Sequence, residues 1–175
     1  MQAGLFGVVG VAAVVFMGRV GRGMKAGGGK GIVALELAGT TKRADQIIKE
    51  WGDPGQKAAR CSLLVDFAFI IGYGGVLTVA SVATSNGLGE RTWSGASEIA
   101  LWLAMGALVA AALDVGENLA LLAYLDESKK EDPDESKRAR LIGSAKPFAV
   151  LKFGLVIVIL LALAVGGVVL MARPN

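Results

Sequence analysis

The sequence predicts an all-α integral membrane protein. The expected fold is a four-transmembrane-helix bundle with an additional short amphipathic helix on the cytoplasmic side, between the first and second spans. Three observations lead there. The 175 residues are 54% hydrophobic and only 19% charged, more apolar than a soluble domain of this length. Four runs approach or exceed the roughly 20 apolar residues needed to cross a bilayer at about 1.5 Å per residue. The cations gather in two of the connections. The chain is read as a single membrane domain, 1–175.

The first run, about 3–20, is short and glycine-rich, with Gly4, Gly7 and Gly10 available for close approach by a neighbour. No Lys or Arg precedes Arg19, so it lacks the basic start of a cleaved signal peptide and is expected to be a retained span. The connection that follows contains "GIVALELAG" (Gly31–Gly39), a short apolar run with Glu36 inside it, and then "TTKRADQIIKEWG". Thr40 or Thr41 suits a helix cap, Ala44, Ile47, Ile48 and Trp51 form a stripe, and Gly52 with Pro54 ends the helix. This amphipathic segment, 31–52, suits two sites: the inner interface with its cations toward anionic lipid head groups, or the mouth of its own bundle.

The second run, about 61–84, carries Asp66 and Tyr73 on one face, with Ala68 and Gly72 as a small pair. In the third, about 97–125, Gly106, Ala110, Asp114 and Asn118 recur at steps of four, and Glu117 joins their face. The stretch "DESKKEDPDESKRAR" within 126–146 is mixed in charge and reads as a solvated cytoplasmic loop. The fourth run, about 147–172, opens at Pro147, suited to a first helical turn, and carries Lys152.

Charge placement orients the chain. Residues 18–60 hold nine Lys or Arg and 126–146 hold six, whereas the remaining connection holds only Arg91 and the end of the chain only Arg173. The positive-inside rule then puts both basic connections in the cytoplasm and both termini outside, in a plasma membrane such as the bacterial inner membrane.

In that orientation Asp66, Asp114, Glu117 and Lys152 all fall between the inner interface and mid-bilayer, with Tyr73 and Asn118 beside them. Buried charge in lipid is costly, so these residues are expected to face one another as a candidate cation or proton site. Asp66–Lys152 is the expected central pair. Three carboxylates face one lysine; Arg60 or Lys146 is the candidate second cation, and otherwise protons or a bound cation must neutralise the site.

Several functions are excluded or weakened. The chain has no histidine and one cysteine, Cys61, which removes histidine chemistry, intrachain disulfides and thiolate metal clusters. "AGGGKG" lacks the spacing, the Ser or Thr and the strand of a phosphate loop. Four spans invite comparison with small multidrug resistance transporters, but the first run has no carboxylate. The signatures of presenilin-like proteases, CDP-alcohol phosphotransferases and prenyl-chain enzymes are absent. No cofactor, metal or nucleic acid is expected. The expected partners are the bilayer and other membrane proteins or further copies of the chain. The leading expectation is a structural or accessory subunit of a membrane complex, with the polar cluster holding the helices together. A proton- or cation-coupled small transporter or channel is the alternative, and a lipid-modifying enzyme the third.

Overall fold

The computed structural model describes residues 30–90 and 94–172, and they are all-helical apart from short connections. In order come α1 (Ile32–Glu36), α2 (Thr41–Gly89), α3 (Ser94–Glu127) and α4 (Glu135–Ala172). The last three are long and apolar enough to cross a membrane. The predicted first span, 3–20, lies outside the described residues. Helix α3 packs along both α2 and α4, which touch each other less.

Helix α2 is two helices end to end. Thr40 caps the first, its hydroxyl accepting from the Arg43 amide at 3.4 Å. Gly52, at φ 58° and ψ −175°, breaks the helical path in a region that is essentially open only to glycine. Pro54 follows in the first turn of the second helix, where its missing N–H costs nothing. Of the two sites considered for the amphipathic segment, the structure shows packing onto the bundle. Ala44, Ile47, Ile48 and Trp51 join Leu35, Leu63, Leu121, Tyr124, Leu125 and Ile142 in one buried core at the basic end of the molecule.

The expected loop over 126–146 is corrected. Only a short turn separates α3 from α4, and α4 starts twelve residues before the predicted position 147, so Pro147 lies inside the helix rather than in its first turn. Two causes are visible. Asp134 caps α4, its side chain accepting from the Lys137 amide at 2.9 Å, and Glu135 suits the positive helix start. In addition Arg138, Ile142, Ala145, Ala149 and Lys152 recur every three to four residues and are all buried. The turn is itself held: Glu127 is buried and receives Lys137 at 2.7 Å, Lys130 at 3.0 Å and the Asp134 amide at 3.3 Å.

Toward the other end the core thins to small contacts. Leu77, Ala107 and Ile159 form a second cluster, and a Cβ on Gly166 would lie 2.8 Å from the Thr84 methyl. Ser85 donates to the Ser97 carbonyl at 2.8 Å, tying α2 to α3. Large apolar side chains such as Leu64, Ile71, Trp102, Met105, Leu160 and Leu161 point away from the bundle and are exposed.

Candidate functional site

The stripe read from α3 faces inward: Asp114, Glu117 and Asn118 are all buried. One helical face, steps of three and four residues, brings them to α2 on one side and α4 on the other. Lys152 reaches across from α4. Its Nζ lies 2.5 Å from Asp114 Oδ1 and 2.8 Å from Glu117 Oε2. Tyr73 donates from α2 to the second Asp114 oxygen at 2.9 Å. One step toward the basic end, Asn118 Nδ2 donates to Asp66 Oδ2 at 2.7 Å. All six predicted residues therefore meet in one cluster. The expected central pair is corrected: Lys152 pairs with Asp114 and Glu117, while Asp66 takes its hydrogen bond from Asn118. The reason is position on α2, since Asp66 lies nearly two turns closer to the basic end than Tyr73, the residue level with Asp114.

The sequence reading missed Glu36 as a member. Helix α1 tucks this residue under the cluster, where it is only 7% exposed and lies alongside the Glu117 carboxyl. Its signal was present, a lone carboxylate in the apolar run "GIVALELAG", but nothing in the periodicity of five residues says where a short helix folds back.

Neither proposed second cation arrives. Arg60 pairs with Asp126 at the surface. Lys146 is exposed and lies over Gly39, where its Cδ would be 2.8 Å from a Cβ. Gly39, at φ 67°, makes that turn possible. Among the described residues the cluster thus holds four carboxyls, Glu36, Asp66, Asp114 and Glu117, against Lys152 alone.

Hydrogen bonding divides these groups. Asp114 has a partner for each oxygen. Glu117 has Lys152 close by, yet neither Glu117 oxygen has a well-aligned hydrogen bond among the described residues; the same is true of Glu36 Oε2 and Asn118 Oδ1. Proximity alone brings the Glu117–Lys152 attraction without the directional bond. Buried acceptors in this state are rare and costly, which marks this flank of the cluster as unfinished by the protein itself.

A second polar network sits nearer the basic end. Buried Arg138 meets Asp45 and Glu135 through its two terminal nitrogens, and lies over the Tyr124 ring at 5.2 Å. Tyr124 donates to Asp45 at 2.7 Å. Every element but α1 contributes, so the network reads as a clamp between the helix 41–51 and the bundle. No sequence pattern links Asp45 to Arg138, 93 positions away.

Burial holds the Glu36 carboxyl above its ordinary 4.5; Lys152 opposes this, and Asp66 and Asp114 add to it. Between the ordinary and the raised value the folded state holds the proton that the unfolded state has released. Stability therefore falls as pH rises through that window and stays lower above it. Glu36→Gln removes the loss, so in buffers free of metal cations E36Q melts above the wild type at alkaline pH and the difference closes below 4.5. Melting curves across pH check this; a difference that does not vary with pH refutes it.

Compared with protein-family models, with curated proteins and with solved structures, the chain matches none. Geometry alone carries the functional reading.

Proposed function

We propose that this chain is a small integral membrane protein, a four-span bundle completed by residues 3–20, that couples transport to a proton or small cation held in the buried cluster. The single observation that carries the reading is the charge balance of the cluster. Three buried carboxyls, Glu36, Asp114 and Glu117, and the half-buried Asp66 face one lysine, and Glu36 Oε2 and both Glu117 oxygens lack aligned hydrogen bonds among the described residues. A permanent structural lock gains by complete pairing; a site that loads and releases a positive charge needs an unfilled acceptor. Ionisable groups at membrane depth commonly mark such pathways. The band of exposed large apolar side chains on α2, α3 and α4 supports lipid contact. The basic connections support an orientation with the cluster toward the cytoplasm and both termini outside.

The accessory-subunit reading stands second, favoured by the complete pairing of Asp114 with Lys152 and Tyr73. Flux assays on the purified protein in liposomes separate the two. Proton or alkali-cation flux is expected for the wild type and is lost when Asp66, Asp114 and Glu117 become Asn, Asn and Gln in a protein that still folds. Flux that persists in this variant, or no flux in the wild type together with a partner that co-purifies in fixed ratio, overturns the transport reading. A reporter fused after Asn175 is expected to behave as external, and cytoplasmic behaviour overturns the orientation.

A further inference from the structure

The coupling reading leaves the identity of the positive charge open, and one cavity narrows it. Between α1, α2 and α3 lies a small, partly open cavity of about 20 Å³, lined by Ile32, Glu36, Ser62, Leu63, Asp66 and Asn118. A void above roughly 10–15 Å³ holds one water-sized guest. We infer that this cavity is a binding site for a single, dehydrated monovalent metal cation of about the size of sodium. The inference rests on the coupled-transport reading and names its ion.

Three observations support the class of ligand. The first is the donor set. Every polar side chain on the cavity wall supplies oxygen: two carboxylates, a hydroxyl and an amide carbonyl, which suits a hard cation. The second is the state of those oxygens. Glu36 Oε2 and Asn118 Oδ1 are buried without a hydrogen-bond partner among the described residues, and their residues are 7% and 1% exposed. The Asn118 amide has no freedom to turn. Its Nδ2 is committed to Asp66 Oδ2 at 2.7 Å, and a flipped amide would set oxygen against carboxylate. Its carbonyl is therefore left as an acceptor for something else.

The third observation is charge and space. Lys152 makes its ion pairs with Asp114 and Glu117 and acts on Glu36 only from a greater distance, so Glu36 and Asp66 face the cavity with no ion pair of their own among the described residues. A water would fill the space and leave that charge in place. Magnesium requires six near-octahedral oxygens and usually keeps several waters, and calcium takes six to eight oxygens. One water-sized void accommodates neither shell, and no group of three or more acidic residues among those described has metal-binding geometry. A monovalent ion that has shed its water fits the number of donors, their charge and the volume.

The test uses the full chain in detergent micelles at alkaline pH, with sodium replaced by choline at constant ionic strength. Saturable stabilisation by sodium, read as a rise in melting temperature and as ²³Na line broadening, is expected, with potassium weaker. Glu36→Gln should weaken the sodium response roughly tenfold or more, the scale on which supporting contacts affect metal affinity. Ser62→Ala, which removes one neutral oxygen and disturbs the fold least, should weaken it in the same direction. A melting temperature indifferent to sodium, or a sodium response unchanged in both variants, overturns the site; dependence on pH alone assigns the role to a proton. Binding and flux are read separately. Sodium binding without flux in liposomes keeps the site and removes the transport reading, whereas proton flux without sodium binding does the reverse.

Discussion

Lys152→Met lowers the stability of the fold by about 3–5 kcal/mol, the scale for removing one partner of a buried ion pair. The cost is not the worth of two salt bridges. It is the penalty of leaving Asp114 and Glu117, both buried, without the cation that stands 2.5 and 2.8 Å away. The compensation pattern is specific. Asp114→Asn in the same chain recovers part of the loss, because an amide still accepts from Tyr73 without carrying charge. Asp66→Asn recovers little, because Asp66 is bonded to Asn118 and not to the lysine. Thermal or denaturant melts of the single and double variants in one detergent measure this. Equal recovery from the Asp114 and Asp66 changes contradicts the assigned pairing.

Trp51→Ala is the second large effect, also about 3–5 kcal/mol, as expected for truncating a buried aromatic residue. Trp51 closes the helix 41–51 against the core around Leu35, Leu121 and Ile142, and its Nε1 donates to the Lys30 carbonyl at 2.5 Å. It holds both ends of the segment that carries Glu36. Trp51→Phe keeps most of the apolar contact and loses the donor, a smaller cost of about 1 kcal/mol. Limited proteolysis reports the location: in W51A, cleavage accelerates between 30 and 52 well before it does in α3. Uniform acceleration along the chain contradicts a local anchoring role.

What could be read from the sequence followed from periodicity. Steps of four from Gly106 to Asn118, with Glu117 three after Asp114, placed two carboxylates and an amide on one face, and helical geometry makes such a face common to its residues wherever the helix goes. The apolar stripe before Gly52 was legible for the same reason. Its packing partner was not, because an amphipathic face fits a protein core and a lipid interface equally well. Three features escaped. Glu36 sits on a helix too short to show a period. The start of α4 was hidden because Arg138 counted as a loop cation, although it heads the buried series that continues to Ile142, Ala145, Ala149 and Lys152. The pairing of Asp45 with Arg138 depends on how α2 and α4 are set side by side, which no local pattern encodes.

That buried series on α4 has a mechanical consequence. Arg138 and Lys152 are two charged pegs on one rod, fourteen residues or about 21 Å apart along the axis. Each seats in its own socket, one formed by Asp45 and Tyr124, the other by Asp114 and Glu117. A rod pinned at one point can pivot, and a rod without charged pegs can slide by a turn. One pinned at both ends can do neither without unseating two buried cations together. Helix α4 is thus the fixed strut of the molecule.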